Sequence, residues 1–342
     1  MSATVSATAR NSYGFQRYIV ALSGIILLVK FFAWSLTGSV AIFTDALESI
    51  VNVAAGIIGL YALYLSTRPR DFDHPYGHGR AEYISATVEG AMITIAGILI
   101  LMEAVRSILN PKDIPHLEIG MMLIMATVVA NLVFGTMAVR KGKNNRSQAL
   151  AASGKHLQSD GYSSIGIITG LVILYVLTSL GYDVLWIDGA IALIFGTIIL
   201  VTGVSVVKGS LDGIMDKVDI HLLEQIAATL NDNRRDAWID IHNLKMVKYG
   251  PTIHIDMHVT MPWYISVKEQ HEEIRHMISL IREKHDESAE LSVSCDPCKE
   301  FSCSYCVQNC THRRTEFTGL IKWDAVNLSR NAQHGNENDS DE

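Results

Sequence analysis

The stretch TDALESIVN, Thr44 to Asn52, lies inside a long apolar run that begins with GSVAIF and ends with GIIGLYALYL. Asp45, Glu48 and Asn52 are spaced i, i+3 and i+7, so on a helix they share one face. A second polar stretch, KHLQSDGYSS, sets His156 and Asp160 at i and i+4, again on one helical face. Carboxylate, amide and imidazole are oxygen and nitrogen donors. Two of them from each of two helices would surround one divalent cation in roughly tetrahedral geometry. An ionisable side chain at mid-membrane costs about 2.5–3.5 kcal/mol on insertion scales, so such residues within a span call for a function. The plainer alternative for Asp45 or Lys155 is a place near the water interface, where the side chain is hydrated or snorkels.

Two further clusters carry donor chemistry. In RPRDFDHPYGHGRAE, Asp71, His74 and His78 have D-x-x-H-x-x-x-H spacing, with Asp73 nearby. A carboxylate with two imidazoles suits Zn²⁺ and similar first-row ions. Pro75, Gly77 and Gly79 also punctuate this stretch, so a hydrated turn with solvated histidines is equally open. All 5 cysteines, Cys295, Cys298, Cys303, Cys306 and Cys310, fall in CDPCKEFSCSYCVQNC. They read as two C-x-x-C pairs, a thiolate-cluster signal for a structural Zn²⁺ site, with an Fe–S cluster or redox switch as further options. A reduced, unliganded tail is the bland alternative; a cytosolic setting argues against structural disulfides.

These donors need elements to position them. The 342 residues are 49% hydrophobic and 18% charged, too apolar for an ordinary soluble domain. Apolar stretches of about 20 residues, the length a bilayer requires, occur near 16–36, 41–65, 84–108, 118–139, 158–180 and 185–207. The first is followed by further spans and lacks a small-residue cleavage site, so it is no cleavable signal. Arg68, Arg70 and Arg80 follow the second span, and Arg140, Lys141, Lys143 and Arg146 follow the fourth. The other loops offer little beyond Lys112. Basic loops stay cytosolic, which puts both termini of an even number of spans in the cytosol, at the inner (plasma) membrane. The net charge of −7 owes much to HGNENDSDE, read as a solvated, disordered acidic end. No basic array interleaved with aromatics appears, which excludes nucleic acid as a partner. No nucleophile–base motif or nucleotide loop appears either, so an enzyme is not expected.

Beyond residue 209 the composition turns polar. Periodicity predicts a helix near 219–231, strands at 237–247 and 252–261, a helix at 267–285 and a strand at 290–294. In TIHIDMHVTM, alternation sets Ile255, Met257 and Val259 against His254, Asp256 and His258. His271 falls at helical spacing with Val267, Ile274, Ile278 and Ile281, where by itself it reads as a part-buried histidine on an apolar face. EFTGLIKWDAVNL, after the cysteines, could fold back on the domain as a short helix.

TGSVAIFTDALESIVN, HPYGHGRAE, HLQSDGYSS and DGAIALIFG at Asp188 together resemble the cation diffusion facilitator family, over about residues 12–298. The resemblance implies a six-helix, all-α transmembrane domain with an α+β ferredoxin-like (αββαβ) cytosolic domain. The organisation expected is a segment 1–13, a transport domain 14–208, a metal-sensing and dimerisation domain 209–298, and a Cys-containing extension with acidic tail 299–342. It implies a homodimeric, proton-coupled exporter of divalent metal, with Zn²⁺ favoured and Fe²⁺, Co²⁺, Ni²⁺ or Mn²⁺ open. The transport site falls on Glu48, Asn52, His156 and Asp160, with Asp45 as a possible accessory. Asn52 stands where the family usually has a carboxylate, which lowers the formal charge of the set from −3 to −2. Asp71, His74 and His78 match a second metal position, and His242, His258, His271 and Asp296 match the cytosolic one. Ser294 stands where relatives often have His. The rival expectation is a membrane-anchored metal or redox sensor acting through the cysteine cluster. Such an anchor has no need of Glu48, His156 or Asp160.

Overall fold

A computed structural model of the chain describes residues 2–66, 68–144, 148–249, 252–285 and 289–335. Arg146 and residues 336–342 of the acidic tail lie outside them. The described chain forms two compact units, one of residues up to Ala62 with Ile84–Ser210, the other of Leu63–Tyr83 with the residues from Leu211 onward.

The first unit is helical: α1 (Ser2–Thr37), α2 (Val40–Ser66), α3 (Ala81–Leu109), α4 (Leu117–Asn144), α5 (Gln148–Ser179) and α6 (Trp186–Ile214). Helix α1 begins at Ser2, so it takes in the stretch expected as a separate N-terminal segment. Among the described residues, α2 to α6 are long and apolar enough to cross a bilayer, while the apolar part of α1, Ala21–Thr37, is shorter. Ala33, Ala41, Ile42, Ile124, Ile167 and Leu171 pack together inside. Leu28, Tyr61, Met122 and Ile194 are exposed, as lipid-facing side chains would be.

Two local devices set where α2 and α5 stand. Helix α1 stops at Gly38, whose φ of 64° lies in the left-handed region that glycine reaches without strain. The next turn is capped from another helix. Asp188 on α6 accepts hydrogen bonds from the Ser39 hydroxyl at 2.6 Å, the Val40 amide at 2.7 Å and the Ala41 amide at 3.2 Å. A carboxylate on the orphan N–H groups of a helix start satisfies their hydrogen bonds and complements the dipole. This contact joins the GSVAIF and DGAIALIFG stretches physically. At the other site helix, a Cβ on Gly154 would stand 2.6 Å from the Val139 amide nitrogen and 2.7 Å from the Gly135 carbonyl. Only glycine allows α4 and α5 to approach this closely, the small-residue packing used between membrane helices.

The second unit contains α7 (Ile220–Asp232), β1 (Asp240–Tyr249), β2 (Thr252–Met261), α8 (Val267–Lys284) and β3 (Glu290–Pro297), then a short 3-10 turn (Glu300–Ser304) and α9 (Ala325–Leu328). Strand order is β1-β2-β3, with β1 and β2 antiparallel and β2 and β3 parallel. Asp219 caps α7, and Ser266 with Glu269 forms a capping box on α8. Ile255, Met257, Val259 and Met261 of β2 are buried against Leu223, Ile226 and Leu230 of α7 and Met277 and Ile281 of α8. The alternation expected for this strand therefore holds. Both helices cover one face of the sheet, leaving His254, Asp256 and His258 on the other.

The C-terminal extension completes this core. Ile321, Trp323 and Leu328 are buried in it, and the Arg234 guanidinium stacks on Trp323 at 3.9 Å. The acidic end does not begin free. His334 is buried, its Nδ1 lying 2.8 Å from Asp240 Oδ1 and its amide donating to Asp240 Oδ2 at 2.9 Å. Burial of that histidine against a buried carboxylate overturns the expectation of a wholly solvated tail at its first residue.

Candidate functional site

In the helical unit, α2 and α5 face each other through three polar rungs. Outermost, the Asn52 amide donates to both carboxylate oxygens of Asp160, at 3.2 and 3.3 Å. His156 Nε2 stands 3.9 Å from the same carboxylate. Next, the Ser163 hydroxyl donates to Glu48 Oε2 at 3.3 Å. Innermost, the Ser164 hydroxyl donates to Asp45 Oδ1 at 2.7 Å. Exposure falls along the ladder: the His156 side chain is 53% exposed, that of Asp160 15% and that of Asp45 1%. The ladder thus opens at its His156 end.

Lys30, on α1, closes the inner end. Its ammonium lies 2.8 Å from Asp45 Oδ1 and 3.2 Å from the Ser164 hydroxyl, and both charged side chains are fully buried. Asp45 is thereby paired with a fixed cation. Glu48 and Asp160 remain as the uncompensated carboxylates of the ladder, a formal charge of −2 that matches one divalent ion. Desolvating an ion pair costs several kcal/mol per charge unless hydrogen bonds complete it, and Ser164 supplies one. Lys30 is the residue that sequence reasoning passed over. Its signal was available: one lysine in an apolar run, opposite an aspartate with no assigned partner. Also buried, on α4, is Asn131, whose amide has neither atom hydrogen-bonded and which lies against Gly161.

Two tighter donor groups occur among the described residues, each with ligand atoms all within 4.8 Å: Asp71, His74 and His78, and His242, His258 and Asp296. Both belong to the second unit. In the loop trio, Asp71 Oδ1 lies 3.0 Å from His74 Nδ1 and Asp71 Oδ2 lies 3.5 Å from His78 Nε2. The hydrogen bond from His74 holds the Asp71 carboxyl below its ordinary pKa. Arg70, beside the trio, pairs with Glu290 of β3, and Tyr76 packs edge-on against His254 of β2. This fastens the loop to the sheet.

The sheet trio draws one ligand from each strand. His242 and His258 are directly opposed across β1 and β2, and Asp296 Oδ2 lies 3.2 Å from His242 Nε2 and 3.1 Å from His258 Nδ1. Burial pushes the His242 imidazole below its usual pKa, which keeps it in the neutral, ligating form. Asp240 Oδ2 stands 3.7 Å behind His242 Nδ1. A bulge between His242 and Lys245, with Asn243 at φ 53°, re-aims the strand at this point. His271, expected in this set, is exposed on α8. That helix covers the face of the sheet opposite His258, so His271 cannot reach the trio.

Of the cysteines, Cys298, Cys303, Cys306 and Cys310 line one small cavity with Tyr264 and Arg313. Cys295 does not. It lies in β3 beside Val259 and packs against the apolar core. All 5 thiols are free, and burial pushes those of Cys295, Cys298 and Cys306 up.

Residues 17–215 match the model of the cation efflux transmembrane domain, and residues 219–298 that of the cation efflux protein cytoplasmic domain. An uncharacterised transporter of Synechocystis sp. is 32% identical over 71% of this chain and 77% of its own. The manganese efflux system protein MneP of Bacillus subtilis is 25% identical over 82% of this chain and 94% of its own. The cation-efflux pump FieF of Cronobacter sakazakii is 26% identical over 72% and 80%. The chain is a multi-pass membrane transporter rather than an enzyme, and it belongs to the cation diffusion facilitator family of cation efflux proteins.

Proposed function

We propose that the chain is one subunit of a homodimeric, six-span antiporter of the inner membrane, with both termini cytosolic, that exports a divalent first-row metal in exchange for protons. The observation that carries this reading is the α2–α5 ladder, in which Glu48, Asn52, His156 and Asp160 are brought together with a net formal charge of −2. An anchored sensor gives no reason for such a ladder. Metal and protons compete for the same atoms, because Glu48 and Asp160 bind metal only when deprotonated and His156 only when neutral. Metal arriving from the cytosol displaces protons, and protons from the far side displace metal, as helix groups rock around the site. The cytosolic domain, with the α–β–β–α–β order of a ferredoxin-like fold, dimerises and takes metal on His242, His258 and Asp296, biasing the cycle.

Donor chemistry bears on which metal is carried. Carboxylate and amide oxygens dominate the set, with one imidazole, and oxygen-rich sites suit Mn²⁺ and Fe²⁺ at least as well as Zn²⁺. The relative named for manganese efflux supports keeping Mn²⁺ among the substrates. Asn52→Asp adds a third uncompensated carboxylate. In competition flux assays it is expected to tighten divalent-metal binding roughly tenfold or more and to alter the preference among Mn²⁺, Fe²⁺ and Zn²⁺. Unchanged affinity and selectivity would remove Asn52 from the site.

A further inference from the structure

Residues 299–335 lie beyond both family matches, yet they fold into the sheet domain and bring Cys303, Cys306 and Cys310 to Cys298. Cys298, Cys303, Cys306 and Cys310 surround a cavity of about 20 Å³, room for one ion or one water and not for a multinuclear cluster. One of these sulfurs already receives a peptide N–H group: Cys310 from His312, at 3.4 Å. Arg313, which also lines the cavity, donates to the carbonyls of Cys303, Cys306 and Gln308 at 2.8, 2.7 and 2.9 Å. It fixes the curvature of the loop that carries three of the cysteines. It also sets a guanidinium beside a group of atoms that become anionic together.

We propose that Cys298, Cys303, Cys306 and Cys310 bind a single Zn²⁺ ion through four thiolates, separate from the transport and cytosolic His/Asp sites. Binding releases the thiol protons to solvent and leaves a formally −2 complex, which the Arg313 guanidinium offsets. Among the described residues, no three of these sulfurs lie all within 4.8 Å of one another. Closure to the spacing of about 3.8 Å that a tetrahedral zinc–thiolate site demands would draw the extension onto the end of β2, where the Cys298 amide already bonds the Met261 carbonyl. The ion is a clamp that fastens residues 299–335 to the domain.

Co²⁺ tests this, because thiolate ligation gives it charge-transfer bands and a tetrahedral visible spectrum. Full-length protein purified in detergent under reducing conditions and loaded with Co²⁺ is expected to show both, and Zn²⁺ should bleach them. The bands should persist in Cys295→Ser and in the transport-site variant Glu48→Ala/Asp160→Ala, and weaken in Cys306→Ser. Elemental analysis should find zinc lowered by about one ion per chain in Cys303→Ser/Cys306→Ser. Absence of a thiolate band from the wild-type protein would overturn the proposal whatever the variants do. So would its loss in Cys295→Ser, or iron and acid-labile sulfide co-purifying with the chain.

Discussion

Lys30→Met is expected to destabilise the protein by about 3–5 kcal/mol, because it strands the Asp45 carboxylate in the bundle without its cation. Asp45 is 0% exposed, and its Oδ2 has no hydrogen-bond partner even with Lys30 in place. Thermal unfolding in detergent should show the loss directly, and flux should fall with it. The informative variant is the double one, Lys30→Met/Asp45→Asn. Replacing both members of a buried pair removes the stranded charge, and such replacements are often neutral or stabilising. The pair adds no net charge to the ladder, so the double variant should recover most of the stability and keep most of the flux. A double variant that folds but does not transport would instead make Asp45 a ligand or proton relay.

The second large effect is expected at the N-terminus of α2, little more than a turn before Asp45. Asp188→Ala leaves the Ser39 hydroxyl and the Val40 and Ala41 amides without their acceptor in a buried site. A buried donor stripped of its partner costs about 1–3 kcal/mol, so a total of about 3 kcal/mol or more is expected, some of it recovered by relaxation. Asp188→Asn keeps one acceptor oxygen and should fall between. The consequence reaches function because the cap fixes where α2 starts, and Glu48 and Asn52 ride two and three turns further along. Unfolding temperatures equal to wild type in Asp188→Ala would reduce the cap to decoration.

Much of this was legible in the chain, and what was not has physical reasons. The spacings of Glu48 and Asn52, and of His156 and Asp160, are local, and helical geometry converts them into faces without further information. Lys30 pairs with Asp45 across two helices, and sequence spacing says nothing about which helices meet. C-x-x-C spacing pairs Cys295 with Cys298, because spacing alone does not register the strand that carries Cys295. Strand alternation sends Cys295 to the core face while its neighbour Asp296 turns to His258, and Cys310 takes its place around the cavity. The resemblance puts His271 in the metal set, and its helical spacing does not show which face of the sheet α8 covers. The burial of His334 against Asp240 depends on a contact spanning 94 residues, beyond any local signal.

The central claim is that the α2–α5 ladder is the cation path. The direct measurement is metal flux in proteoliposomes under a pH gradient, comparing the wild-type chain with Glu48→Ala/Asp160→Ala after both are verified to fold alike. The account predicts that removing the two uncompensated carboxylates brings flux to the background of empty liposomes. Undiminished flux in that variant would contradict it.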